Sequence, residues 1–120
     1  RRNMVKQGTI IKINFNPQAG HEQAGYRPAG YRPAVVISNN IFNQKAKLAI
    51  VCPITNTNNY FPLHVSLDDR TKTTGVILCE HIKALDLNSR TFKEIEQLPE
   101  DILQNVIDIV YSEIEKIEED

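Results

Sequence analysis

Only two cysteines occur in the 120 residues, Cys52 and Cys79, without Cys-x-x-Cys spacing and each among apolar neighbours. That excludes a disulfide scaffold and a dithiol redox motif, and predicts buried free thiols in a reducing compartment. No apolar run approaches the roughly 18 residues needed to cross a bilayer, and no signal-peptide stretch opens the chain. A cytoplasmic protein without a membrane partner is expected. Phosphate and metal signatures are missing too: there is no Walker loop, G-x-G-x-x-G, H-E-x-x-H or zinc-ligand spacing. His21, His64 and His81 are scattered, so neither a metal nor a cofactor is expected.

Charge of either sign is nearly absent from the total, a formal −1, but not from its parts. Residues 1–93 carry 13 Lys/Arg against five acids, and residues 94–120 carry ten acids against Lys116 alone. A near-neutral average of a basic body and an acidic tail excludes no nucleic-acid partner. The basic body offers Arg27, Arg32, Lys45, Lys47, Arg70 and Lys72 for contact with phosphates. The acidic segment is expected to lie away from any such groove.

Apolar patterning predicts mainly β structure closed by one helix. Thr9–Phe15 alternates as a half-buried strand, with Ile11, Ile13 and Phe15 on one face. Asn16–Pro33, rich in Gly, Pro, Gln and Ala, reads as a long loop. Ala34–Ser38 and Leu48–Pro53 are continuous apolar strands, and Asn56–Tyr60 is a polar turn. Phe61–Leu67 alternates. Gly75–Glu80 and His81–Leu85 form one long strand or two joined ones, and Lys93–Leu98 is a short last strand. From Pro99 the period changes: Ile102, Leu103, Val106, Ile107, Val110, Ile114 and Ile117 mark an amphipathic helix of about 18 residues. The pattern suggests a single domain over residues 4–120, built as a strongly bent sheet or barrel. Arg1–Asn3 precede Met4 and read as a remnant outside the fold.

The chemistry-bearing residues concentrate in one loop. His21, Glu22, Gln23, Tyr26 and Arg27 fall within a few positions of one another, and Ala24–Pro28 (AGYRP) is repeated at once as Ala29–Pro33. Lengthening a loop costs only tenths of a kcal/mol, so a tandem duplication is tolerable, though the sequence does not separate it from an artefactual repeat. Arginine offers a planar, permanently charged fork suited to phosphate oxygens.

Gly20-His21-Glu22-Gln23-Ala24-Gly25-Tyr26-Arg27-Pro28, read on into Arg32-Pro33-Ala34-Val35-Val36, resembles the signature loop and following strand of MazF/PemK (Kid) toxins. Val51–Thr55, Phe61–Val65, Thr74–Asp86 and Leu98–Glu100 with its terminal helix resemble the later segments of that family. The resemblance implies an SH3-like barrel acting as a homodimer: a metal-independent, sequence-specific endoribonuclease on single-stranded RNA, neutralised by a MazE-like antitoxin. The RNA 2′-OH would attack the adjacent phosphorus, giving a 2′,3′-cyclic phosphate and a 5′-OH. Catalytic roles fall by this resemblance on Arg32 or Arg27, on Thr55, and on His21 or Glu22 as general base. Gln23, Tyr26, Tyr31, Asn56, Asn58 and Glu80 become candidate substrate contacts, and Glu80 would also serve as base if desolvation raised its pKa. The family has one Gly-x-Arg-Pro copy. Spacing from His-Glu-Gln selects Arg27, whereas continuity with the strand selects Arg32, which is preferred because a strand base is held more rigidly. Two further readings stay open: a CcdB-like gyrase-binding toxin on the same barrel, and a non-catalytic SH3-like binding module.

Overall fold

The computed structural model of the chain describes residues 5–15, 31–57 and 61–118. Seven strands form one sheet: β1 (Thr9–Asn14), β2 (Tyr31–Val36), β3 (Ala49–Thr55), β4 (His64–Ser66), β5 (Val76–Leu78), β6 (Lys83–Leu85) and β7 (Phe92–Gln97). Among the described residues two α-helices accompany them, α1 (Asn40–Ala46) and α2 (Glu100–Ile114). Every pairing is antiparallel, in the order β4-β5-β3-β2-β1-β7, with β6 also pairing with β3. The mainly β fold with a C-terminal helix is as expected from sequence, but the sheet is open: β4 and β7 end the path.

The central strands are apolar on both sides, and period two sorts their residues between two cores. Ile10, Val35, Cys52, Ile54 and Ile77 pack on one side with Ile102, Leu103 and Val106 of α2. Ile11, Ile13, Ala34, Val36 and Val51 pack on the other with Val5, Leu85 and Leu87. β1 is therefore half-buried only beyond its first turns of the pleat: Ile10 and Ile11 are both fully buried, one on each face, and Lys12 is exposed. Both cysteines are free and buried, and burial pushes the Cys79 thiol up to about 12 and that of Cys52 higher still.

Several boundaries differ from the sequence expectation, each for a physical reason. The loop expected to run through Pro33 gives way to β2 at Tyr31, because Tyr31, Arg32 and Pro33 pair with Asn14, Ile13 and Lys12 of β1. The Gly75–Leu85 stretch is two strands, split by a 3₁₀ turn at Cys79–His81. β5 pairs with Ile54 and Thr55, and β6 with Ala49–Val51, so β3 changes partner along one edge. Pro53, which lacks an N–H, falls at that change of partner. Within Phe61–Leu67 only His64–Ser66 is strand. α2 has 15 residues rather than about 18. Its last turn carries no cation, and Glu113 and Glu115 oppose the negative end of the helix dipole. Ile114 and Ile117, counted in the apolar stripe, are 71% and 65% exposed.

Helix α1 has no counterpart in the sequence reading. Asn39 caps it, accepting a hydrogen bond from the Phe42 N–H at 2.8 Å, and Lys47 ends it in the left-handed region at φ 59°. Its one buried residue is polar. Asn43 Nδ2 donates to the carbonyls of Val5 and Ser38, and Ser38 Oγ donates to Asn43 Oδ1 while accepting from the Ile50 N–H. This network ties the chain before β1 to α1 and β3. Asn43→Ala is expected to lower unfolding free energy by about 1–3 kcal/mol, because buried partners are left unsatisfied. Urea denaturation monitored by circular dichroism measures it.

Candidate active site

Register and parity decide which side chains meet. Ala34 stands opposite Pro53 across the β2–β3 ladder. Two residues back along β2 is Arg32, and two on along β3 is Thr55, so both extend the same cross-strand row on the same face of the sheet. That face carries the core of Ile11, Ile13, Ala34 and Val51, whereas α2 covers the other. The acidic helix thus lies across the sheet from Arg32 and Thr55, as the charge pattern suggested.

Arg32 is exposed and Thr55 is partly buried at the end of β3. The Thr55 hydroxyl oxygen accepts from the Thr57 N–H at 3.2 Å. That contact orients Oγ1 and leaves its proton to donate. Gly75 closes behind Thr55. Its φ is +117°, and a Cβ there would clash with the Thr55 carbonyl oxygen, so only glycine fits this approach. Thr74 Oγ1 donates to Asn56 Oδ1 at 2.9 Å, fixing the residue after Thr55. Tyr31, opposite Asn14 at the start of β2, is 44% exposed and adjoins Arg32. The structure therefore gathers Arg32, Thr55, Asn56 and Tyr31 at one end of the sheet.

Glu80 is placed elsewhere. Val76 is the β5 residue opposite Thr55, and Glu80 follows the far end of that strand. Its Oε2 lies 2.9 Å from His64 Nε2 and 3.5 Å from His81 Nε2. Burial pushes the Glu80 carboxyl up, but the His64 hydrogen bond, a backbone hydrogen bond and the two imidazoles outweigh it, leaving it below its ordinary value. A base with a raised pKa is not what the fold makes of Glu80. Arg70 is also engaged: its guanidinium binds Asp68 and bridges to Asp101 in the first turn of α2, instead of standing free for phosphates. His21, Glu22, Gln23, Tyr26, Arg27 and Asn58 lie outside the described residues. Sequence reasoning missed the Gly75–Thr55 approach and the Thr74–Asn56 bond; the Thr-Thr-Gly triplet before β5 was the available signal.

The chain matches, over residues 6–112, a family described as PemK-like, MazF-like toxins of type II toxin–antitoxin systems. It is 32% identical over 111 residues to endoribonuclease PemK of Escherichia coli, covering 89% of this chain and 80% of that one. Among solved structures, MazF from Deinococcus radiodurans superposes with a TM-score of 0.78 at 33% identity, covering 94% of this chain and 98% of that one. A MazE–MazF complex from the same organism contains a chain with a TM-score of 0.76 at 26% identity, covering 95% and 98%.

Two outcomes follow for stability. Gly75→Ala should destabilise the fold by about 1–3 kcal/mol through strain at positive φ and contact with Thr55, as measured by thermal and urea unfolding. The lowered Glu80 pKa means that its ionised contacts add stability above the ordinary value of 4.5, and that this is lost as pH falls through the lower folded value. In melts from pH 7 to pH 3, the gap between wild type and Glu80→Gln should therefore be widest above pH 4.5 and shrink below it.

Proposed function

The chain belongs to the PemK-like, MazF-like toxins of type II toxin–antitoxin systems, and we propose that it is an endoribonuclease that cuts single-stranded RNA at specific sequences without a metal ion. The observation that carries this reading is the cross-strand placement of Arg32 and Thr55 on the uncovered end of one sheet face. The endoribonuclease name of the Escherichia coli relative supports it.

The chemistry follows from what the two side chains offer. A 2′-oxygen attacks the adjacent phosphorus as its proton passes to a base, and the bond from phosphorus to the 5′-oxygen breaks. The products are a 2′,3′-cyclic phosphate and a 5′-hydroxyl, the departing oxygen having taken up a proton. Because the nucleophile belongs to the substrate, the protein has to orient the phosphate and stabilise charge on it. Arg32 supplies a permanent cation with fork geometry for the non-bridging oxygens of the phosphorane. Thr55, its oxygen already held by the Thr57 N–H, donates its proton to a phosphate oxygen. His21 or Glu22 takes the 2′-OH proton. Tyr31 offers a stacking face and Asn56 a base-edge contact, as expected for recognition of unpaired RNA. The reading includes a homodimer, a cytoplasmic location and a MazE-like antitoxin, this last supported by the related MazE–MazF complex.

Purified protein incubated with a long single-stranded RNA in EDTA, with the 5′ ends mapped, tests the reading. Cuts at one short recurring sequence, bearing 5′-hydroxyl ends, are expected; random or absent cleavage would defeat it. Arg32→Ala should reduce the rate at least tenfold, an order of magnitude typical for loss of one transition-state charge contact, and more than Arg27→Ala does. The reverse ranking would assign the role to the first repeat.

A further inference from the structure

A cleft of about 400 Å³ opens on the other face of the sheet, between β1, β2 and β7 and the loop that leads into β5. Pro33 and Ile95 give it an apolar surface, and Lys12, Lys72, Thr74 and Asn56 line the rest. Its shape is built in. Ile95 is the extra residue of a bulge where the β1–β7 register shifts between Ile10 and Ile11, and it is left 39% exposed. The Glu96 carboxylate holds the loop against β7 by accepting from the N–H groups of Lys72 and Thr73 and from the Thr73 hydroxyl.

The cleft is rich in cations, offset at Lys72 by the neighbouring Glu96 carboxylate. Lys12 stands directly opposite Lys93 in the β1–β7 ladder, an arrangement that costs strand stability. Among the described residues no ion pair engages Lys12, Lys72 or Lys93. Thr74 donates to the Asn56 carbonyl, which leaves the Asn56 amide NH₂ as a donor on the wall. An apolar surface ringed by cations and one amide donor fits a group with a flat apolar body, an acceptor on its edge and an anion beside it. Free phosphate would make no use of Pro33 and Ile95. Pro33 follows Arg32 and Asn56 follows Thr55, so a strand held at that pair reaches the cleft by passing over the strand ends.

We infer that this cleft binds a nucleotide of the RNA outside the scissile step, its base against Pro33 and Ile95 and its phosphate among Lys12, Lys72 and Lys93. The inference rests on the endoribonuclease reading. The Asn56 amide donates to the base edge, so the cleft adds both affinity and sequence preference. An acidic segment of an antitoxin would use the lysines alone.

The test compares the full chain with a Lys12→Gln/Lys72→Gln/Lys93→Gln variant on a single-stranded oligoribonucleotide that carries the mapped cleavage site, over a range of salt concentrations. The variant should raise KM about tenfold at unchanged kcat and flatten the slope of log KM against log salt by about 0.7, the change for one lost phosphate contact on a single strand. Its melting temperature should hold or rise, because the Lys12–Lys93 repulsion is gone; a structural role for these lysines would lower it. Unchanged KM and salt slope with cleavage intact would overturn the site and leave the activity standing. Weakened binding of a poly-glutamate peptide with unchanged KM would also overturn it, and would give the cleft to a protein partner. If the wild-type chain cuts no RNA, the endoribonuclease reading and this site fall together.

Discussion

The ladder between β2 and β3 is the constraint on which the rest depends. Ala34, Val35 and Val36 pair with Pro53, Cys52 and Val51, and each of the six belongs to a densely buried stretch. Because side chains alternate with a period of two, a slip by one residue would exchange the two cores and carry Arg32 and Thr55 to different faces. The register is held from both sides at once: Val35 and Cys52 pack towards α2, while Ala34, Val36 and Val51 pack away from it. A cationic side chain and a hydroxyl thus gain a fixed mutual position without any direct bond between them.

The same two-sided packing organises charge. α2 buries Ile102, Leu103 and Val106 against one face and keeps its acids on the solvent side. Asp101, in its first turn, binds Arg70 and removes that arginine from the exposed cations. Across the sheet, Arg32 is exposed near the strand ends. Lys12, Lys72 and Lys93 gather where the loop before β5 lies over β7, and Glu96 holds that loop by accepting from the Lys72 and Thr73 N–H groups. The acids of α2 and the Arg32–Thr55 row therefore lie on opposite faces of the sheet, while Arg70 and the lysine cleft share the face that α2 covers.

Glu80 shows how burial can mislead when taken alone. Desolvation favours a protonated carboxyl, and a base of raised pKa is what a nuclease site would want. The hydrogen bond from His64 and the neighbouring His81 reverse the sign. Nothing in the spacing of His64, Glu80 and His81 announces this contact, since it depends on β4 pairing with β5 so that His64 faces Leu78.

Much was legible in the chain. The alternation of Ile11 and Ile13, the apolar runs at Ala34 and Leu48, and the three-four spacing from Ile102 identified the strands, the last helix and the fold class, because burial imposes those periods on any sequence. Arg32 and Thr55 were legible only through the motifs around them. Helix α1 was not legible: it is one short element whose single buried residue, Asn43, is polar and so leaves no apolar period. What residues 1–120 determined by themselves was the set of apolar faces and the chemical groups available, which are local properties. Tertiary structure decided which of those groups share a face, which are consumed by partners such as Asp68 or His64, and which stay free. Those outcomes depend on strand register and on contacts between segments far apart in sequence, and no local pattern encodes them.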